Sequence, residues 1–186
     1  MPVYRVRRIV VESYPILFIC ALIGLFAGLT LEKRLGKIEG TLVLMMVPLL
    51  NGIGGNLGSI LGARLSSALH LGIVEPRLRK ERVLKVNVDA SVLTSVLIFS
   101  FIAAIFFAIA YMWGAGFIGA AKHALTFIIA GMLLTPVIIA STVASAFISF
   151  KKGLDPDNIV IPLVTSIIDV SAAIWLLIIA VDLVGL

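Results

Sequence analysis

The feature that most constrains this chain is a series of apolar runs, each close to the length of a bilayer crossing. Pro15–Leu31, Val92–Trp113, Ala124–Phe150 and Ile159–Val181 carry one charged residue between them, and a spanning helix needs about 20 such residues. Hydrophobic residues make up 61% of the chain and charged residues 13%, against about 45–50% and about 25% in a soluble domain. Lipid, not water, is the solvent this composition suits. What lies between the runs is too short to bury an independent core, so a single membrane domain over residues 1–186 is expected, with no soluble domain.

The formal net charge of +5 does not point to nucleic acid. The basic residues form short clusters between apolar runs, where anionic lipid headgroups attract them. Met1–Leu31 opens like a signal peptide, with Arg5, Arg7 and Arg8 ahead of an apolar stretch. No small-residue cleavage site precedes a soluble domain, so it is read as a first spanning helix. Cys20 stands alone in that helix. A disulfide framework or cysteine metal cluster within one chain is thereby excluded, and packing is its expected role.

The fold class expected is all-α integral membrane, with five transmembrane helices at about 15–32, 41–71, 86–113, 120–150 and 159–184. One side collects Arg5, Arg7, Arg8, Arg77, Arg79, Lys80, Arg82, Lys85, Lys151 and Lys152; the other has only Lys33, Arg34, Lys37 and Lys122. The positive-inside rule sets the richer side in the cytoplasm. The N-terminus is then cytoplasmic and Leu186 external. The second segment, Thr41–Leu71, would run about 46 Å as a helix, beyond a hydrocarbon core of about 30 Å. Pro48 and the glycines after it predict a kink or local unwinding near Asn51–Asn56.

Asp169 carries the most chemistry, because it lies at mid-span. A central Asp costs about 2.5–3.5 kcal/mol on insertion scales, so such residues face a bundle interior or an aqueous cavity and mark ion or proton pathways. The plainer reading is a protonated carboxyl hydrogen-bonded between helices. Thr165 one turn before it and Ala173 one turn after complete a narrow face of small and oxygen-bearing residues. In the second helix, Gly52, Gly55, Asn56, Ser59, Gly62 and Ala63 fall on one stripe. Glycines alone would make a packing seam, but Asn51 and Asn56 add hard neutral oxygens suited to Mg²⁺ or its bound waters.

Asp89, near Asn87 and Ser91, and Asp155 and Asp157 before the fifth helix stand where cations would gather at an inner mouth. Charge compensation of a helix N-terminus, for Asp157, and interfacial hydration, for the others, explain them equally well. Glu32 and Glu39 neighbour Lys33, Arg34 and Lys37 in a solvated loop, and Asp182 reads as an interfacial end residue. Arg64 marks either the emergence of the second helix into the cytoplasm or, the favoured reading, a structural pair with an acid such as Asp89. Thr142, Ser145 and Ser149, with Ser141 beside them, form a ridge that reads as helix packing before pore lining. His70 and His123 stand near opposite faces and form no zinc cluster.

The run Pro48-x-x-Asn51-Gly52-x-Gly54-Gly55-Asn56 and the Asp155-Pro156 step fourteen residues before Asp169 resemble the MgtE-type magnesium channel and transporter superfamily. The likeness covers essentially the whole chain, and is nearest to half-length prokaryotic relatives of the eukaryotic solute-carrier magnesium transporters. It implies a ten-helix homodimer with the pore at the dimer axis, where Asp169, Thr165, Gly52, Gly55 and Ser59 sit near the ion and Asp155 at the cytoplasmic mouth. Many members carry Asn where this chain has Ser59. Two Asp169 side chains would supply about −2 of charge, matching one divalent cation where screening is weak.

The function expected is therefore transport of a divalent cation, Mg²⁺ first and Mn²⁺ or another ion as alternatives, by a homodimer held in membrane lipid. No enzymatic activity is expected. Coupling to Na⁺ or H⁺ is a second reading within transport. A membrane scaffold or an intramembrane enzyme is the reading from another class, although an enzyme of the two-aspartate kind would need a second mid-span acid.

Overall fold

The computed structural model describes residues 6–35, 41–77 and 81–180. These form five helices in chain order: α1 Val6–Leu35, α2 Thr41–His70, α3 Arg82–Met112, α4 Gly116–Lys151 and α5 Pro156–Leu177. All five are long and apolar enough to cross a membrane. No strand occurs among the described residues.

The helices exist because their side chains favour burial in lipid or in one another, and their backbones have no other partner in hydrocarbon. Polar side chains obey the same demand. Ser91, Thr94, Ser95, Thr126, Thr135, Thr142 and Ser171 each donate to the carbonyl four residues earlier in their own helix. The ends follow from local sequence. Gly153, at φ +69°, lets the chain turn out of α4 while the Leu154 amide closes on the Ser149 carbonyl. Asp155 then caps α5, its side chain accepting from the Asp157 amide at 3.1 Å, with Pro156 in the first turn.

α2, α4 and α5 pack on one another, α3 leans mainly on α4, and α1 lies along α5. The core sits among the central three, where Met46, Leu50, Leu61 and Leu65 of α2 meet Leu134 and Ile138 of α4 and Val164 and Ile168 of α5, all essentially fully buried. On the flank, the ring of Phe99 lies where a Cβ on Gly131 would be, 2.4 Å away, which lets α3 and α4 approach closely. Outward faces carry Leu17, Phe18 and Phe26 of α1 and Leu93, Leu97 and Phe101 of α3, all exposed. Patches this apolar belong against acyl chains. Five apolar crossings and these faces make a multi-pass membrane protein.

Several expectations change. α1 begins at Val6, well before Pro15, so Arg7 and Glu12 are helical. α2 is helical from Thr41 through His70, with no unwinding near Asn51–Asn56: tight packing on both flanks keeps the segment wound despite Pro48 and the glycines. At 30 residues it is about 45 Å long and must tilt or project from the bilayer. α5 passes into a π turn at Ile178–Ala180. Arg64 is exposed, and no ion pair joins it to Asp89 among the described residues. The expectations placed on Arg5, Lys37, Glu39, Arg79, Lys80 and Asp182 lie outside the described residues, as do the side chains of Arg8, Glu32, Lys33 and Arg34.

Candidate cation site

The glycines of α2 divide into two rows. Gly54, Gly58 and Gly62 recur every fourth residue against α5, and a Cβ on each would fall 2.7 Å from Ile168, 2.6 Å from Val164 and 2.9 Å from Val160 respectively. As α2 advances by four residues α5 retreats by four, so the helices are antiparallel and in fixed register. This row is a packing seam, closed on its other side by Leu134, Ile138 and Thr142 of α4. Gly62 therefore belongs to the seam and not to an open ion-facing stripe, because Val160 occupies the space beside it.

The second row opens beside the first. A Cβ on Gly55 would lie 3.3 Å from Cγ2 of Thr165, and one on Gly52 would meet nothing within 4 Å. One turn further along the Gly55–Thr165 row, the same antiparallel step sets Asn51 level with Asp169. Asn51, Ser59, Thr165 and Asp169 are half-buried, while Gly52 and Asn56 are exposed. The face expected from spacing is thus assembled from two helices: Asn51, Gly52, Gly55, Asn56 and Ser59 on α2, with Thr165 and Asp169 on α5.

Hydrogen bonding decides what this face presents. Thr165 Oγ1 donates to the Ile161 and Pro162 carbonyls, at 3.0 and 2.9 Å, and Ser59 Oγ donates to the Gly55 carbonyl at 2.8 Å. Each hydroxyl proton is committed to its own helix, so each oxygen offers only lone pairs outward. Asn51 Oδ1 is buried and has no donor among the described residues. An orphaned amide oxygen of this kind costs about 1–3 kcal/mol unless a donor or a cation satisfies it. With the Asp169 carboxylate the face is acceptor-rich, the donor set that hard, hydrated divalent ions take.

The other acids do not join it. Asp155, half-buried, is the N-cap of α5, about 21 Å along the helix from Asp169. Asp89 is exposed, and its neighbour Asn87 lines a groove with Ala63, Arg64 and Ser67 of α2, about 18 Å along α2 from Asn51. No group of three or more His, Cys, Asp or Glu side chains converges among the described residues, and Asp169 is the one acid within the apolar run Ile159–Val181. Thr142, Ser145 and Ser149 are buried, with Thr142 packed on Gly58 and Gly62; the ridge is packing. Cys20 is buried too, its Sγ 3.3 Å from the Pro162 carbonyl that also accepts from Thr165 and Ser166.

One functional-looking contact was not expected. Glu12 of α1 accepts from the Asn158 side-chain amide at 3.1 Å and from the Asp155 backbone amide at 3.4 Å. Its negative charge sits at the positive end of α5 and ties α1 to the helix that bears Asp169. Reading the first span from Pro15 onward set Glu12 outside the membrane helix. The available signal was its spacing from Ile16, Cys20 and Ile23, four, eight and eleven residues on, which lie on the same helical face and are at least partly buried.

The family model described as MgtE, divalent cation transporter, matches residues 47–179, from just before Pro48 to just past the Asp169 helix core. The chain belongs to the MgtE family. Two relatives are similar to the chain: solute carrier family 41 member 3 of Mus musculus, 25% identical over 168 residues, and that of Rattus norvegicus, 25% identical over 169 residues. Each match takes in 84% of this chain but only 34% and 36% of the relative, so the chain spans about a third of their length. No solved structure matches significantly.

Proposed function

We propose that this MgtE-family chain carries divalent cations across the cell membrane, Mg²⁺ foremost, as a homodimer whose pore lies on the two-fold axis. The observation that carries the reading is the half-exposed Asp169 at mid-span, on an acceptor-rich face shared with Asn51, Gly55 and Thr165. A face of that kind is unstable against lipid. Against a second copy it would enclose two carboxylates, about −2 of charge, around an aqueous path. Mg²⁺ sheds water reluctantly, so Asp169, Thr165 and Asn51 act on its water shell, with Gly52, Gly55, Asn56 and Ser59 leaving room for it. Too tight a cage would stop conduction.

Membership of a divalent cation transporter family supports the substrate class. Arg77, Arg82, Lys85, Lys151 and Lys152 are exposed near one end of the bundle, which supports a cytoplasmic location for that end. Asp155 and Asp89 then gather cations at the inner mouth. A mid-span acid among small polar positions favours transport over a scaffold or an enzyme.

The test is Mg²⁺ uptake into proteoliposomes with Asp169→Asn. The variant should insert, associate and lose about 90% or more of the flux, as loss of a paired charge at a weakly screened site implies. Uptake at the wild-type rate would remove Asp169 from the path.

A further inference from the structure

We infer that the groove between α3 and α4, at the end of the bundle bearing the α2–α3 loop, holds one chain of an anionic phospholipid with its phosphate on Arg77 and Lys151. The cavity is about 680 Å³. Leu84 and Val88 of α3 and Val143 and Phe147 of α4 form its walls, and Arg77 and Lys151 are its two charged lining residues, both basic. It runs along α4 from Lys151 to Ile139, about 18 Å of helix and more than half of a hydrocarbon core of about 30 Å.

Both ends of the groove match one molecule. Arg77 lies in the loop after α2 and Lys151 at the last residue of α4, where headgroups lie when the helices cross the bilayer. The apolar walls descend from that level to acyl-chain depth. Water gains nothing from such walls, whereas an acyl chain fills them. Two cations at the rim with no lining carboxylate favour a phosphate that keeps its net negative charge over a zwitterionic headgroup. A guanidinium adds two-point recognition of phosphate oxygens that a lysine lacks. The inference is independent of the Asp169 site, because none of that face lines the groove.

The experiment is native mass spectrometry of the purified full chain, titrated with phosphatidylglycerol or phosphatidylcholine of identical acyl chains. Phosphatidylglycerol should be retained in preference. Arg77→Gln with Lys151→Gln, both at exposed side chains, should weaken its binding roughly 30-fold, from about 1 kcal/mol for each basic residue near a membrane surface, and leave phosphatidylcholine unchanged. Ala144→Trp, projecting from the groove wall, should displace both lipids. Equal retention of the two lipids by wild type, or no effect of the double substitution, would overturn the proposal. So would competition by inorganic phosphate with no effect of Ala144→Trp, which marks a free-anion site. A dimer-to-monomer shift with Ala144→Trp at unchanged lipid retention would mean that a second copy covers the groove, and it overturns the proposal as well.

Discussion

Asn51 and Asp169 make opposite demands on the fold, and in the proposed dimer both would be met by a hydrated ion held between two copies. The carboxylate is half-exposed at mid-span, while the amide oxygen is buried without a donor among the described residues. Replacing Asn51 by Leu removes the orphaned oxygen at similar volume, so thermal stability should hold or rise. If that oxygen serves the ion, Mg²⁺ flux should fall by about tenfold in the same variant, equivalent to about 1.4 kcal/mol. Parallel melting and proteoliposome flux measurements check this, and loss of both together would mean that Asn51 is structural. Asp169 announced itself as a charge in an apolar run. Asn51 was a candidate by residue type, but its place level with Asp169 emerges only from the register of two helices, which no spacing within one helix contains.

At the scale of elements, the α2–α5 seam separates glycines that pack from glycines that leave space. Gly58→Ala puts a methyl 2.6 Å from Val164, which overpacks the seam and should cost about 1–3 kcal/mol of stability in a chemical or thermal unfolding series. Gly52→Ala meets nothing within 4 Å among the described residues and should leave the chain's stability within about 0.5 kcal/mol, apart from backbone entropy that favours alanine. A flux defect in Gly52→Ala would then report on the ion path or a partner. The five elements were readable because long apolar runs permit little else in a membrane. The division of glycine labour was not, since Gly54, Gly55, Gly58 and Gly62 look alike until Val160, Val164 and Ile168 are seen against three of them. The unbroken winding of α2 through Asn51–Asn56 was hidden for the same reason: Pro48 is a local signal, and packing by α4 and α5 overrides it.

The α1–α5 tie belongs to this scale too. Glu12→Gln keeps the acceptor oxygen for Asn158 and Asp155 but removes the charge at the α5 N-terminus. Stability should fall by about 0.3–1 kcal/mol, readable as a lower unfolding midpoint, whereas Glu12→Ala should cost more because both donors lose their acceptor. An identical effect for the two variants would assign the tie to charge alone.

For the whole molecule, the chain is a bundle with its core among α2, α4 and α5 and with one mid-span acid, Asp169, that forms no ion pair among the described residues. Two such faces meeting about a two-fold axis would satisfy the Asn51 oxygens, shield the Asp169 carboxylates from lipid and balance a doubly charged ion. The helix count was readable from the chain alone, whereas the divalent ion and the homodimer came from the family resemblance, because a symmetric interface is a property of two copies. The most direct measurement is anomalous scattering from a crystal of the full chain soaked in Mn²⁺. It should show an ion on or beside a two-fold axis, between the Asp169 side chains of two subunits and within reach of Asn51 and Thr165 through its water shell. Asp169 carboxylates facing lipid, or divided by packed protein with the ion bound elsewhere, would contradict the dimer-axis pore.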